Sequence, residues 1–155
     1  MASIRSGIGE NMEDRYLFKA KRLDNGEWVT GNLIQNPFFK GVRSWISSEQ
    51  EDKTRLRSIS RTQALWNSIE VDPSTICQCT GLKDKNGKMI WENDIVVCRD
   101  FTEEKYVIAW KQDEACFEYQ QYGCSIMNFE QLSGCEVEVI GNIFDNKELL
   151  ESEEN

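Results

Sequence analysis

The amino-acid sequence predicts a mainly β fold: a small barrel-like or sandwich-like domain of short antiparallel strands and hairpins, with little helix. Three observations predict it. Two Asn-Gly dipeptides, Asn25-Gly26 and Asn86-Gly87, each lie between runs that alternate apolar and polar residues. Short alternating runs recur at a spacing of roughly 8–15 residues, giving about seven or eight strands. No run of ten residues carries a convincing helical period.

The elements follow in chain order. Residues 1–11 are small, polar and Gly-containing, and read as a loose extension. The ordered domain is expected over residues 12–145. Around Asn25-Gly26, RYLFKAKRL and EWVTGNLI form a hairpin. A two-residue type I′ loop pairs Asp24 with Glu27, Leu23 with Trp28 and Phe18 with Leu33. Tyr16, Phe18 and Ala20 then share a face with Val29, Gly31 and Leu33, while Lys19 and Lys21 share the other with Thr30 and Asn32.

Residues 35–64 have little pattern. Asn36-Pro37 opens a loop, and Phe38, Phe39 and Trp45 follow as candidate partner-contact residues. Lys53, Arg55, Arg57 and Arg61 form a basic run. It reads as a solvated loop or guarded edge strand, with a phosphate-binding strip as the competing assignment. Ser68–Val71 reads as a strand stopped by Asp72-Pro73.

The second hairpin, with its tip at Asn86-Gly87, pairs Leu82 with Trp91, Lys83 with Ile90 and Gly81 with Glu92 in the expected register. A turn at residues 92–94 uses Asn93 in a left-handed conformation, and a buried strand begins at Ile95. Residues 105–111, 116–120 and 136–143 are further strands. Residues 125–132 read as a single helical turn or a loop. Residues 146–155 form an acidic tail, a short helix or frayed end, with Asp145 and Glu148 in a capping pattern.

Composition excludes several chemistries. The 155 residues contain 18 Lys+Arg, 27 Asp+Glu and no His, for a formal charge of −9. Without His there is no His-based triad, HExxH site or facial triad. The acidic balance disfavours nucleic acid, although residues 36–69 carry six basic and three acidic side chains. No apolar run approaches the ~18 residues needed to span a bilayer. The opening residues show no signal-peptide pattern, so a cytoplasmic protein is expected. The six cysteines include no CxxC pair. Cys77 and Cys79, two apart in a strand, face one way and are expected as reduced thiols that pack as small hydrophobes.

Three segments carry a family resemblance: VDPSTICQCTGLKDKNGKMIWENDIVV, MEDRYLFKAKRLDNGEWVTGNLI and VEVIGNIFDNKELLE. They resemble the YopX-like family of phage and prophage proteins over most of residues 12–151, with residues 35–64 matching loosely. The family usually has an aromatic where this chain has Cys79, a Gly near Cys77, and Glu-Gly-Asp where this chain has Glu92-Asn93-Asp94. The resemblance implies a mostly β fold, bacteriophage or prophage context, self-association, and no established activity.

The central motif residues are Gly81, Leu82, Asp84, Asn86, Gly87, Trp91, Glu92, Asp94 and Ile95. Their types suit a structural role. Gly81 permits a bend and Asn86-Gly87 sets the turn. Asp84 bonds its own backbone, Asp94 caps the turn at 92–94, Trp91 and Leu82 cover one face, and Ile95 enters the core. Asp84, Glu92 and Asp94 invite a carboxylate metal site, but Glu92 opposite Gly81 would project away from Asp84. The expectation is therefore a non-enzymatic accessory protein: no catalytic residue, no cofactor, no metal, a homo-oligomer that binds a host or phage protein. The alternatives are a nucleic-acid-binding β-barrel, an acidic DNA mimic that inhibits a host enzyme, and a carboxylate-dependent hydrolase.

Overall fold

The computed structural model describes residues 16–36, 43–47, 68–98, 104–121, 124–128 and 137–151. Eleven strands occur among them: β1 (Phe18–Lys21), β2 (Trp28–Asn36), β3 (Arg43–Ser47), β4 (Ser68–Val71), β5 (Cys77–Lys83), β6 (Met89–Trp91), β7 (Asp94–Cys98), β8 (Lys105–Lys111), β9 (Cys116–Gln121), β10 (Cys124–Asn128) and β11 (Val137–Asn142). A 3₁₀ turn spans Pro73–Thr75, and the one α-helix among the described residues, α1, is Glu148–Glu151. The strands form two antiparallel sheets, ordered β4-β3-β2-β1-β5-β6 and β10-β9-β8-β7-β11. The fold is sandwich-like. The barrel expectation is corrected, because neither sheet closes on itself.

The first hairpin forms, but not in the expected register. Lys21 faces Trp28 and Phe18 faces Gly31. Arg22 N donates to Glu27 O at 2.9 Å, and Gly26 N donates to Arg22 O at 3.0 Å. The loop is therefore four residues, 23–26, rather than two. Only Gly26 in it is left-handed, at φ 74°. The cause is tertiary. The sheet curls until the end of β4 returns to the end of β1, where Arg22 bridges Val71 and Leu23 N donates to Glu70 O at 3.1 Å. Leu23 is thus spent on β4 and lost to the ladder with β2. The slip is two residues, so each side chain keeps its face. Phe18, Ala20, Val29 and Leu33 do share one face, packed with Ile46, Val71 and Ile76.

The second hairpin is also re-registered. Cys79 faces Trp91 and Lys83 faces Met89, with an irregularity between them at Gly81, whose φ is 80°. Trp91 therefore does not face Leu82. Glu92 N donates to Gln78 O at 2.9 Å, so Glu92 lies across from Gln78 and not Gly81. Leu82 is 48% exposed and does not pair with Trp91 to cover a face. Asp84 N donates to Lys88 O at 2.8 Å and Gly87 N to Asp84 O at 2.9 Å, closing a three-residue loop with Gly87 at φ 79°. That geometry is a type I turn followed by a left-handed glycine, so Asn86 needs no positive φ.

Two further corrections concern unpatterned or weakly patterned segments. Cys124–Asn128 pairs with β9 as a strand, in place of the expected helical turn or loop. Arg43–Ser47, inside the region with little pattern, is a strand between β2 and β4. The turn after β6 is as expected, with Asn93 at φ 66°.

Three apolar clusters hold the layers. One lies within the curl of the first sheet. The second sheet builds another from Val96, Cys98, Tyr106, Ile108, Tyr119, Val137 and Val139, and takes in Ile90 from β6. The third fills the seam between the sheets: Cys77, Cys79 and Trp91, flanked by Leu17, Trp28, Met89 and Phe144. Each fully buried Ile or Val contributes roughly 1.5–3 kcal/mol. The β5–β6 hairpin therefore joins the layers, with Ile90 in one cluster and its neighbour Trp91 in another.

Candidate functional site

Charged residues converge on that seam. Lys19 and Lys21 occupy alternate positions of β1, and Trp28 of β2 faces Lys21 directly. All three project toward the second sheet. Lys19 Nζ donates to Asp94 Oδ1 at 2.8 Å, with the side chains 14% and 3% exposed. It also sits 5.1 Å from the Trp28 ring centroid and 5.4 Å from that of Trp91. The Lys19 ammonium thus meets one carboxylate and two indole rings. The second Asp94 oxygen accepts Trp91 N at 2.8 Å, which is the expected turn cap.

The C-terminal turn supplies the other half. Asp145 accepts from Lys21 Nζ, from Trp28 Nε1 at 2.7 Å and from Asn142 Nδ2 at 3.0 Å. Those bonds from Lys21 and Trp28 pull its carboxyl down to about 2. Asp145 is thus a seam residue and not the helix cap that its spacing to Glu148 suggested. Phe144 stacks edge-on against Trp28, with centroids 5.8 Å apart.

The remaining motif residues are placed as follows. Asp84 is buried at the tip of the second hairpin. Its Oδ1 accepts from Asn86 N at 2.8 Å and Lys88 N at 2.9 Å, and its Oδ2 from Val139 N at 3.1 Å. Burial opposes the Asp84 charge, but those three N–H groups outweigh it and hold the pKa below the ordinary value. Lys85 N donates to Val137 O at 2.9 Å. The tip thereby occupies groups on the outer edge of β11, an edge that would otherwise offer itself to another strand. Glu92 is half-buried; burial raises its pKa, partly offset by a 3.3 Å bond from Gln78 N. Asp94 is raised by burial, which exceeds the lowering effect of Lys19. Ile95 is fully buried.

Asp84, Glu92 and Asp94 do not assemble: no group of three such ligands is placed to hold a metal among the described residues. Burial pushes the Cys77 thiol up to about 11, so it is protonated and not a nucleophile at neutral pH. Trp45 is half-buried on β3 beneath Arg43, whose guanidinium is 5.4 Å from the ring and bidentate to Glu70 at 2.7 Å. Phe38, Phe39, Lys53, Arg55, Arg57 and Arg61 lie outside the described residues, as does the extension at residues 1–11.

The seam residues Lys19, Lys21, Trp28 and Asp145 escaped the sequence reading. One signal was available. Trp28 falls on the face with Lys19, Lys21 and Thr30, and a large aromatic on an otherwise wet face marks a contact.

The model of the family described as YopX protein matches residues 17–151 of this chain. The chain is also similar to protein EF1440 from Enterococcus faecalis, known from a crystal structure. The two are 24% identical, with a TM-score of 0.48, over 86% of this chain and 96% of that one. Among curated proteins none matches.

Proposed function

The chain belongs to the YopX protein family, and on that premise we propose that it works by surface contact: a non-enzymatic, self-associating protein-interaction module of phage or prophage origin, acting in the bacterial cytoplasm. One observation supports this reading above the rest. The charged groups best placed to do chemistry are spent on the fold. Lys19 and Asp94 neutralise each other, Asp145 is held by Lys21 and Trp28, and Asp84 is taken up by three backbone N–H groups. A general acid or nucleophile has to present its proton or lone pair to a substrate. These side chains present theirs to neighbouring strands.

The surface is better supplied for contact. Tyr16, Leu23, Leu82 and Trp110 are large apolar side chains left exposed. Aromatic residues of this kind anchor protein interfaces. The formal charge of −9 favours a protein partner over nucleic acid. Among the described residues no helix is long and apolar enough to cross a membrane.

Size-exclusion chromatography with light scattering tests the reading. The expected particle mass is a multiple of the 18.0 kDa chain. A mass of one chain across the accessible concentration range overturns self-association. Metal-dependent hydrolysis of a phosphoester probe, abolished by Glu92→Gln in a protein that still folds, overturns the non-enzymatic assignment.

A further inference from the structure

The two Asn-Gly tips differ in a way that bears on covalent ageing. In an Asn-Gly pair the glycine backbone nitrogen can attack the asparagine Cγ. The C–N bond to the side-chain amide breaks, ammonia leaves, and a succinimide forms. Water then opens that ring to Asp or to isoaspartate, the latter adding one methylene to the backbone path. Glycine favours the step because it lacks a Cβ beside the attacking nitrogen.

Both tips are exposed, and both attacking nitrogens are already hydrogen-bonded: Gly26 N to Arg22 O at 3.0 Å, Gly87 N to Asp84 O at 2.9 Å. The side chains are not equivalent. Asn25 is held at both ends, its Oδ1 accepting from Glu27 N at 3.0 Å and its Nδ2 donating to Glu27 Oε2 at 2.8 Å. The Asn86 side chain makes no hydrogen bond with the described residues and can rotate toward Gly87. We infer that Asn86 is a modification site, deamidating ahead of Asn25 in the folded protein, and that its isoaspartyl product releases the hairpin tip from β11. The release follows from geometry. Asn86 N and Lys88 N, on either side of the lengthened link, bind the same Asp84 oxygen, and the other oxygen of that carboxylate accepts Val139 N.

The intact full-length chain is incubated folded and, in parallel, unfolded in urea, both at mildly alkaline pH. Peptide mapping then resolves Asn, Asp and isoaspartate at positions 25 and 86. In the folded protein Asn86 is expected to react about tenfold faster, the factor that one or two exposed hydrogen bonds at Asn25 supply. In urea the two rates converge. Equal rates when folded, or the same disparity in urea, overturn the assignment of Asn86. Amide exchange at Val139 reads the second part. It is expected to accelerate in the isoaspartyl-86 fraction and to stay slow in Asn86→Asp, which carries the charge without the extra methylene. Unchanged exchange in the isoaspartyl fraction overturns the release.

Discussion

The two hairpins carry the same tip dipeptide and build different turns. At the first, the chain closes over four residues because Leu23 N leaves the ladder for Glu70 O of β4. At the second, Asp84 closes a three-residue loop with its own carboxylate and carries that carboxylate on to Val139. In both, the glycine alone is left-handed, and the asparagine before it is not. An Asn-Gly pair therefore marks where a turn falls. Which groups surround it decides how many residues the turn uses. The first hairpin also meets the second sheet, through Lys19 of β1 and Asp94, the first residue of β7.

Breaking that meeting point has the largest expected effect. Asp94→Ala leaves the Lys19 ammonium buried without its counter-ion and should cost about 3–5 kcal/mol in denaturant unfolding. The double variant Lys19→Met/Asp94→Leu should recover most of that loss, because it removes both charges rather than stranding one. No recovery would mean that the charges hold the seam in some way that packing cannot replace.

Next comes the contrast between the tips. Asp84→Ala strips three N–H groups of their acceptor, the Val139 N–H among them in a buried site, and should cost about 3 kcal/mol. The matching change at the first tip, Asp24→Ala, breaks an exposed pair with Arg22 and an exposed bond from the Asn25 backbone, and should barely move the unfolding midpoint. Similar losses at both would erase the distinction drawn between them.

Glycine replacements sharpen the turn geometry. A Cβ at Gly26 or Gly87 would meet nothing within 4 Å. The cost of either Gly→Ala change is then purely the left-handed backbone, about 1–2 kcal/mol by thermal unfolding. Asn25→Gly should bring no gain, whereas a type I′ turn would reward it. Ala115, at φ 51°, is the converse case: Ala115→Gly should raise stability by up to about 1 kcal/mol.

The smallest effect is pH-dependent. The Asp145 carboxyl is held near 2 in the fold, below its unfolded value. Its contribution is therefore complete above the ordinary carboxyl range and disappears as pH falls toward about 2. Asp94 and Glu92, raised by burial, act with the opposite sign and weaken folding as pH rises through their folded values. Asp145→Asn should flatten the acid limb of the stability curve by lowering its neutral plateau toward the acid value, a modest loss since Asp145 is partly exposed. An unchanged acid limb would place the titration elsewhere.

Much of this was legible from local chemistry. Alternation located Lys105–Lys111 residue for residue. Asn93 was recognisable as a left-handed turn residue, and Asp94 as a cap accepting backbone N–H groups of that turn. Cys77 and Cys79 face one way, into the seam, as their spacing in a strand requires. In these places period and turn chemistry act over a few neighbouring residues, and nothing distant competes.

Elsewhere the answer lay beyond the local window. A register that slips by two leaves every side chain on its own face, so alternation cannot reveal that Lys21 rather than Leu23 meets Trp28. The bulge at Gly81 moved Trp91 from Leu82 to Cys79 for a similar reason. Lys19 and Lys21 look like solvent-facing lysines until Asp94 of the second sheet, Trp91 of β6 and Asp145 of the C-terminal turn come to meet them. Sequence alone determined that this chain is built from short antiparallel strands and where most of them turn, because those preferences belong to each residue and its nearest neighbours. The tertiary structure decided pairing, curl and which charges became buried partners, because those depend on what a distant segment brings to the other side.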